Sequence, residues 1–599
     1  ALPPRVRSGR PAPRAQFVVH IGIIAQPTAG NHPAPGGVAC LSGPRGARVT
    51  HRVGRRRETV DGDDVDTMID PGSGDTTAGA DDRATPPAWT GWLAGSVAAA
   101  LALAFGELVE ALADDIPGLV LAVDEWIVDI TPGDLVAEGI ENLGPSQKTY
   151  LQVGTTILAL VLGGLLGRLS QTRARWIGPA GFVAFGAFGG YAVARNPLSP
   201  AAASWIWALV AGAIGAATVW FLLERLHRPT RFHTVVEDPR DPAATRRAFL
   251  GWTAGAGAAA VTAVGVGRRA SGPSAAETAR EALAAEAATS STGAPLASAR
   301  VLDTTEGITP YITPNTGFYR IDTALTVPQV DPADWTLRIT GMVDEEIELT
   351  YDDIRSMDLT DQVVTLSCVS NEVGGDLVGT AVWTGVPLTT VLELAGVHDD
   401  ATQVVGRSVD DWTAGFPTAA LRDGRTALLA TGMNGEPLPL RHGFPARLVV
   451  AGLYGYVSAV KWIEEIHLTT WEDFDGYWVP RGWSKEGPMK TMSRIDVPRS
   501  RDELVSGPVV VAGVAWSPNR GISAVELSVD DGPWMPCDLG ESIGPETWLQ
   551  WRTTWNAEPG THRLQVRAVD GEGNVQPLGP AEPRPNGAEG WHGRTVDVA

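Results

Sequence analysis

The chain has 599 residues, which is enough for several domains, and 44% of them are hydrophobic. Its formal net charge of −22 argues against nucleic acid as a partner, because binding a phosphate backbone requires a basic face. The three cysteines, Cys40, Cys368 and Cys537, are too widely spaced for a CxxC motif, a thiolate zinc site, an iron–sulfur site or a c-type haem attachment site.

The N-terminal region, residues 1–88, is rich in Pro, Gly, Arg and Asp and has only a short apolar patch, at Phe17–Ile24. A segment of this composition cannot bury enough apolar surface to offset the entropy lost on folding. We therefore predict that residues 1–88 are disordered.

Five apolar runs follow between residues 89 and 270, and each is close to the ~20 residues that a helix needs to cross a ~30 Å hydrocarbon layer. They are Ala88–Ala113, Tyr150–Leu166, Trp176–Ala194, Ala203–Leu223 and Ala248–Val266. The sequence therefore predicts a transmembrane helical anchor of about five spans. The run Ile116–Ile130 is shorter and acidic, which is typical of a helix at the membrane surface.

The charges of the loops predict how these helices are oriented. The second and fourth connections contain several arginines, whereas the first is acidic, and positive loops stay in the cytoplasm. This places the N-terminus on the cytoplasmic side of the cell membrane and everything after residue 270 on the extracytoplasmic side. The pair Arg246-Arg247 before the fifth run also resembles a twin-arginine export signal, and the alternative is an ordinary positive flank of a membrane helix.

Three soluble segments follow the anchor. Residues 271–300, rich in Ala, Ser, Thr and Glu, are predicted to be a flexible linker. Residues 301–495 alternate short strands, turns and a few helical stretches, which predicts an α+β domain. Residues 496–599 alternate apolar and polar side chains at period two between turns such as Asp531-Gly532, which predicts an all-β, Ig-like sandwich.

Cys368 ends the apolar stretch VVTLSC (Val363–Cys368) and leads into the polar, Gly-rich loop VSNEVGG. A thiol in this position can be a nucleophile, a metal ligand, a disulfide partner of Cys537 or part of the core. No local signature supplies the base of a Cys–His hydrolase. The residue spacing alone leaves the other interpretations open.

Several stretches around Cys368 resemble the sulfite oxidase family of molybdenum–pterin enzymes, and more closely its membrane-tethered prokaryotic branch. They are VVTLSC, VWTGVPLTTVLELAG (Val382–Gly396), VVGRSVDDWTAGFP (Val404–Pro417), LLATGMNGEPLPLRHGFPARLVV (Leu428–Val450) and GYVSAVKWIEEIHL (Gly455–Leu468). PNTGFYRIDTAL (Pro314–Leu325) resembles the family's N-terminal cofactor segment. The last 100 or so residues resemble its C-terminal domain, which suggests a homodimer through that domain.

The resemblance implies a role for each matching residue. Cys368 would bind molybdenum beside the pterin dithiolene, since molybdenum takes soft thiolate ligands. Arg320, on the side of the oxo-anion, and Trp412 would join it as catalytic residues. The residues implied in binding molybdopterin are Asn315, Phe318, Tyr319, Ser408, His442, Arg447, Ser458 and Lys461. The structural alternatives are surface salt bridges for Arg320 and Lys461 and a hydrogen-bonded loop histidine for His442.

Two departures from the family pattern concern the substrate. The loop after Cys368 carries Glu372 where the family often has a basic run, and this weakens the case for sulfite. Trp412 stands near the position where the family often has a catalytic tyrosine. Its indole can donate a hydrogen bond but cannot act as an acid at neutral pH.

We therefore expect a membrane-anchored, extracytoplasmic oxidoreductase that depends on the molybdenum–molybdopterin cofactor. It would carry out two-electron oxygen-atom transfer on a sulfur oxyanion, a sulfoxide or an N-oxide, and contact membrane lipid but no nucleic acid. The sequence lacks haem and iron–sulfur motifs, so electrons would pass to or from a separate cytochrome, cupredoxin or quinone-linked partner. The alternatives are a cofactor-free binding or adhesion protein that reuses the fold, and a five-span transducer or transport subunit with a sensory outer domain.

Overall fold

The structure is a computed structural model that describes residues 86–113, 116–132, 146–197, 199–227, 242–270, 272–290, 305–500 and 502–599, with the single residues 135, 139 and 302. The predicted disorder of residues 1–88 therefore falls almost wholly outside the described residues. The same holds for the second part of the predicted linker, residues 291–300.

The described residues up to 290 are mainly helical. They are α1 (Ala88–Leu112), α2 (Leu119–Ile130), α3 (Gln147–Thr172), α4 (Ile177–Val193), α5 (Ala201–His227), α6 (Pro242–Ala270) and α7 (Ala275–Ser290). Within these ranges, α1, α3, α5 and the greater part of α6 are long and apolar enough to cross a membrane. The fifth predicted run lies in α6. The third predicted run forms α4, which has only 17 residues, about 25 Å of helix, and is shorter than a membrane span requires.

One end of the helical bundle gathers the start of α1, the end of α3 and the start of α6. Gln171 near the end of α3 donates a hydrogen bond from Nε2 to the Pro86 carbonyl before α1, at 3.2 Å. Trp89 in α1 lies edge-on to Phe249 in α6, with ring centroids 6.3 Å apart. These three helix termini therefore lie on the same side of the bundle.

The opposite end gathers the end of α1, the end of α4 and the end of α6. Asn196, just after α4, donates a hydrogen bond from Nδ2 to Glu125 of α2 at 3.1 Å. A Cβ added to Gly267 in α6 would lie 3.1 Å from Cβ of Ala111 in α1. Because α4 follows α3 directly at the first end and finishes at this one, it runs the whole length of the bundle despite its short helix.

The domain that follows the bundle is α+β. Its strands are β1 (Thr336–Gly341), β2 (Ile347–Thr350), β3 (Thr360–Ser367), β4 (Val378–Pro387), β5 (Gln403–Ser408), β6 (Thr413–Pro417), β7 (Ala427–Met433), β8 (Glu436–Pro437), β9 (Arg447–Val450) and β10 (Ile463–Thr469). Its short helices are α8 (Tyr351–Arg355), α9 (Leu388–Glu393) and α10 (Gly455–Ser458). One sheet has the order β2-β1-β10-β5-β6, and the other has the order β3-β4-β7-β8 with β9 also paired to β7.

The C-terminal region is rich in β-strands, as predicted. Its strands are β11 (Met492–Val497), β12 (Glu503–Leu504), β13 (Gly507–Trp516), β14 (Ile522–Val529), β15 (Met535–Pro536), β16 (Asp538–Leu539), β17 (Leu549–Ala557), β18 (Gly560–Asp570) and β19 (His592–Val598). They form two sheets, with the orders β11-β13-β17-β16 and β12-β19-β18-β14-β15. Val511 and Trp551 from the first sheet share one buried cluster with Leu527, Val566 and Val596 from the second.

The predicted flexible linker contains a helix. Residues 275–290 form α7, where Ala276 is only 1% exposed and Leu283 packs against the cores of the α+β domain. Ser274 caps the helix, because its Oγ accepts a hydrogen bond from the backbone N–H of Glu277 at 3.0 Å. This part of the segment is therefore docked rather than a free coil, although its Ala-rich composition has no strong apolar period.

Candidate active site

Cys368 lies where β3 leaves its sheet. The last four residues of β3 are buried, and the backbone N–H of Cys368 continues the pairing by donating to the Leu377 carbonyl at 2.9 Å. Its sulfur accepts a hydrogen bond from the backbone N–H of Ser370 at 3.4 Å, and its side chain is 9% exposed. Burial raises the pKa of the thiol. Cys368 and Cys537 are both free thiols, so the disulfide interpretation does not hold in this structure.

The loop after Cys368 is held by its own backbone and by the C-terminal region. Asn371 accepts a hydrogen bond at Oδ1 from the N–H of Leu377 at 2.9 Å. Gly374 has a φ of 80°, and a Cβ there would lie 2.2 Å from Cδ2 of His592. Only glycine allows His592 to pack so closely against this loop. Glu372, the acid that departs from the family pattern, is exposed.

His592 links the C-terminal region to this loop as a neutral base. Its Nδ1 accepts a hydrogen bond from the N–H of Ile495 at 2.9 Å. Burial, together with the charges of the neighbouring Arg594 and Arg494, lowers the pKa of His592 to about 4. Protonation would charge a buried ring and remove this acceptor.

We expect the free energy of unfolding to fall as the pH drops from about 6.5 towards 4, because the unfolded chain then binds protons that the folded chain does not. His592 alone accounts for about 2 kcal/mol between pH 7 and pH 5. His592→Gln should therefore unfold in urea with a weaker pH dependence than the wild type. His442 titrates in the same range, so part of the slope should persist. An unchanged slope in the variant would contradict the assignment.

Phe318 is the centre of an aromatic wall built from three separate segments. Its ring stacks on Tyr319 at a centroid distance of 5.2 Å and meets the rings of Trp383 and His442 edge-on, at 5.7 Å each. Burial raises the pKa of the Tyr319 hydroxyl, and the charge that Cys368 carries when it is ionised raises it further. A Cβ placed on Gly455 would lie 4.0 Å from both the Tyr319 hydroxyl and the carbonyl of Ser367, so the wall lies near the strand end that carries Cys368.

His442 connects the predicted cofactor segment to the loop before β9. Its Nε2–H donates to the backbone carbonyl of Asn315 at 3.1 Å. The side chain of Asn315 accepts from Nδ2 of Asn434 at 2.7 Å and donates to the carbonyl of Met433 at 3.3 Å. Burial lowers the pKa of His442 to about 4, so the ring is neutral at neutral pH. The structure thus has the hydrogen-bonded loop histidine of the structural alternative, and this histidine also joins two predicted site segments.

Arg447 is a buried cation at the start of β9. Its guanidinium carbon lies 4.9 Å from the centroid of the Trp383 ring, and its Nη1 and Nε donate to the carbonyls of His442 and Leu448 at 3.1 and 3.3 Å. Burial lowers its pKa to about 10, so it remains charged at neutral pH. Among the described residues it forms no ion pair with an acid, and three of its five N–H donors are left for an anion.

Arg320 and Lys461 share one carboxylate, that of Asp322. Both form an ion pair with it, and the Asp322 side chain is only 1% exposed. Lys461 also donates from Nζ to the Ile321 carbonyl at 3.1 Å. Burial and the charge of Arg320 bring the pKa of Lys461 well below its usual range. The salt-bridge alternative therefore describes both cations here, although the bridge lies inside the site rather than on the surface.

The turn between β5 and β6 brings Ser408 and Trp412 together. The N–H of Ser408 donates to the Trp412 carbonyl at 2.9 Å, and Asp411 between them has a φ of 64°. Oγ of Ser408 and Nε1 of Trp412 are both buried without a hydrogen bond of normal geometry among the described residues. Burial raises the pKa of Asp410, and the Ser408 hydroxyl offsets part of that rise.

Contacts at two glycines and one backbone hydrogen bond show that several of the predicted site residues lie close together. A Cβ on Gly443, where φ is 109°, would lie 3.1 Å from Cβ of both Arg447 and Lys461. A Cβ on Gly455 would lie 4.0 Å from the Tyr319 hydroxyl and from the carbonyl of Ser367, which precedes Cys368. The N–H of Val409, next to Ser408, donates to the Trp462 carbonyl at 3.0 Å, one residue beyond Lys461.

Ser458 and Asp322 differ most from the sequence prediction. The hydroxyl of Ser458 donates to the Tyr454 carbonyl at 3.2 Å, so in this structure it stabilises its own helical turn. Asp322 was missed as a site residue, although it stands two positions after Arg320, which is a spacing that lets two side chains lie on the same face of an extended segment.

These features fit the predicted cofactor. A soft thiol ends a buried strand, an unpaired guanidinium lies on the aromatic wall, and the buried Nε1 of Trp412 has no hydrogen-bond partner among the described residues. A buried donor without a hydrogen bond costs about 1–3 kcal/mol, so a polar ligand accounts for Trp412 better than packing does. Phosphate and pterin groups supply the acceptors that such donors need.

Replacing Arg447 should weaken cofactor binding without unfolding the domain. We expect Arg447→Lys to lose about tenfold or more in molybdopterin retention, because lysine cannot reproduce the planar fork of donors. Pterin content after gel filtration measures this loss. Arg563→Lys, in an exposed pair with Asp531, is the control and should keep the wild-type content. Full retention in Arg447→Lys would contradict a phosphate-binding role.

Comparison with known proteins gives consistent results. A family model described as an oxidoreductase molybdopterin binding domain matches residues 324–478. The mitochondrial sulfite oxidase of Rattus norvegicus is 30% identical over 317 residues, which cover 45% of this chain and 57% of that protein. The uncharacterized oxidoreductase YuiH of Bacillus subtilis (strain 168) is 33% identical over 157 residues, which cover 26% of this chain and 76% of that protein.

Among solved structures, the sulfane dehydrogenase SoxCD from Paracoccus pantotrophus matches 49% of this chain and 84% of its own, with 24% identity and a TM-score of 0.44. The chain spans little more than half the length of the mitochondrial sulfite oxidases that it matches.

Proposed function

Because the chain belongs to the sulfite oxidase family of molybdopterin-dependent oxidoreductases, we propose that it is a membrane-anchored enzyme that transfers oxygen atoms outside the cytoplasm. Its enzyme class and its molybdenum–molybdopterin cofactor follow from the family. The family therefore argues against the alternative that the sequence left open, a cofactor-free binding protein. The observation that carries the proposal is the free, buried thiol of Cys368 beside the Tyr319 and Phe318 wall.

The residues that would hold the cofactor are those of the sequence prediction. Cys368 would bind molybdenum, and Arg447 with His442 would hold the phosphate and the pterin. The other pterin-binding residues are Asn315, Phe318, Tyr319, Ser408, Ser458 and Lys461. When bound, this cofactor supplies two-electron oxygen-atom transfer. The chain itself binds and orients: the buried Nε1 of Trp412 can donate a hydrogen bond to a substrate oxygen but cannot give up its proton at neutral pH.

The substrate is a small oxo compound of sulfur or nitrogen: a sulfur oxyanion, a sulfoxide or an N-oxide. Arg320, the residue predicted on the oxo-anion side, already shares Asp322 with Lys461. The loop after Cys368 carries Glu372, where the resemblance to the family leads us to expect a basic run. Both features lower the positive charge available to a dianion, so we favour a neutral sulfoxide or N-oxide over sulfite.

The helical bundle would anchor this enzyme in the cell membrane with five crossings. Support comes from the four long apolar helices and from α4, whose two ends lie at opposite ends of the bundle. Lys148, at the start of α3, donates from Nζ to the Ala324 carbonyl of the α+β domain at 2.6 Å. This contact is on the bundle end that the loop charges predict to be extracytoplasmic. Protease added to intact spheroplasts should cleave the domain after α6, and protection would refute this orientation.

We also infer that the C-terminal sheets form the Ig-like sandwich that could support a homodimer.

Electrons would be exchanged with a separate carrier: a cytochrome, a cupredoxin or a quinone-linked protein. Within the described residues, no group of three or more His, Cys, Asp or Glu side chains is placed to hold another metal ion. An absorption spectrum of the purified chain tests this proposal. A haem or flavin band intrinsic to the chain would refute it.

Metal analysis tests the enzyme proposal directly. Full-length chain made in a molybdenum-replete host and purified in detergent should contain about one molybdenum and one pterin per chain. With a redox dye as donor or acceptor, it should then turn over sulfoxides or N-oxides faster than sulfite. A chain without molybdenum would overturn the proposal, whereas faster sulfite turnover would overturn only the substrate preference.

A further inference from the structure

A cavity of about 770 Å³ adjoins the predicted pterin-binding segment. Its lining includes Asn315 and Asn434, whose side chains are hydrogen-bonded at 2.7 Å, and Arg441. His442, the neighbour of Arg441, is bonded to the backbone of Asn315 at 3.1 Å. The cavity therefore borders directly on residues assigned to the cofactor.

Part of the lining of this cavity comes from α7, through Glu277 and Arg280. This helix lies before residue 324, where the match to the family model begins. It is nevertheless fixed to the α+β domain at several points. Ser274 donates to Gln329 at 2.6 Å at its start, and Arg355 pairs with Glu286 at 3.0 Å near its end.

Leu283 anchors the middle of the helix. It packs against the buried cluster that contains Phe318, Trp383 and Phe444, which is the cluster behind the aromatic wall. The helix therefore packs against the same buried cluster as the cofactor residues, so displacing α7 should open the cavity next to them.

The charges in the cavity suggest what it binds. The side chain of Arg280 is 19% exposed and forms an ion pair with Glu277 at 3.7 Å. Neither Arg280 nor Arg441 forms a hydrogen bond among the described residues that line the cavity. Glu277 and Glu436 balance their charges, so a bound anion must be met by the directed N–H donors rather than by net charge. Guanidinium groups provide such donors in the geometry that phosphate oxygens accept.

We propose that α7 closes the cofactor site: the cavity behind it leads to the pterin-binding residues, and Arg280 with Arg441 binds there the phosphate oxygens of the cofactor that Arg447 and His442 leave free. The helix thereby slows the release of bound molybdopterin. This inference rests on the cofactor site proposed above, and it adds to that site a helix that lies outside the matched domain.

Three variants of the full-length, cofactor-loaded chain test the inference. Arg280→Gln removes the charged donor with the helix intact, Leu283→Asp undocks the helix, and Glu281→Gln changes an exposed neighbour as a matched control. Molybdenum and pterin that remain after timed dialysis measure cofactor release. Limited proteolysis between residues 272 and 290 reports whether the helix is docked.

We expect about tenfold faster release from Arg280→Gln with the helix still protected, since one charge-assisted contact is worth about that factor. Leu283→Asp should release the cofactor faster and also become cleavable, and Glu281→Gln should match the wild type. Wild-type release from both Arg280→Gln and Leu283→Asp would overturn the inference. Faster release from Leu283→Asp alone would overturn the role of Arg280. A wild-type chain that never contains molybdopterin would overturn the proposed function itself, so the two failures are distinguishable.

Discussion

Replacing Cys368 with serine is expected to give a folded chain that keeps less than about a tenth of the wild-type molybdenum. Molybdenum prefers soft thiolate ligands, whereas a serine hydroxyl is a hard donor that stays protonated at neutral pH. The cost to folding should be small, because the sulfur accepts a hydrogen bond from the N–H of Ser370 at 3.4 Å and a serine hydroxyl can accept the same bond. Metal analysis and the pterin content of the detergent-purified chain measure the result.

Cys537→Ser is the matched control. Cys537 is also a free thiol, partly buried, and it packs against the core of the C-terminal sheets rather than near the aromatic wall. The control variant should bind as much molybdenum as the wild type. If Cys368→Ser retained its metal, or if Cys537→Ser lost it equally, the thiol of Cys368 could not be the ligand.

The features that the sequence predicts well are those encoded in short windows. Hydropathy over about 20 residues found α1, α3, α5 and α6 because a membrane helix must be apolar along its whole length. Alternation at period two found the C-terminal strands because one face of each strand packs into the core. Cys368 could be singled out because it ends a buried strand and begins a polar loop.

The features that the sequence did not predict depend on contacts between distant segments. The composition of α7 is typical of a linker, and only the packing of Leu283 against a distant cluster fixes the helix. His592 reaches Gly374 from more than 200 residues away, and no local pattern records such a contact. Arg320 and Lys461 were each interpreted singly, although the buried carboxylate of Asp322 decides their charge environment.

Replacing Asp322 with asparagine is expected to lower the free energy of unfolding by about 3–5 kcal/mol, which is the usual cost of leaving a buried charge without its partner. Most of this loss of stability would come from Lys461, because its side chain is only 13% exposed and burial already lowers its pKa. The remaining repulsion between Lys461 and Arg320 adds to the loss. Urea unfolding of the detergent-solubilised chain, followed by tryptophan fluorescence, measures the change.

Two further variants decide whether the buried charge is the cause. Asp475→Asn removes the acid of the exposed pair with Lys485 and should cost less than about 1 kcal/mol. Asp322→Asn combined with Lys461→Met removes both partners of the buried pair and should recover much of the lost stability, because an uncharged pair needs no compensation. If the double variant were as unstable as Asp322→Asn alone, the loss would come from packing or from the cofactor rather than from an unpaired lysine. Recovery of stability with loss of pterin would instead separate the two roles of Lys461: the ion pair with Asp322 would matter for folding, and the ammonium group for holding the cofactor.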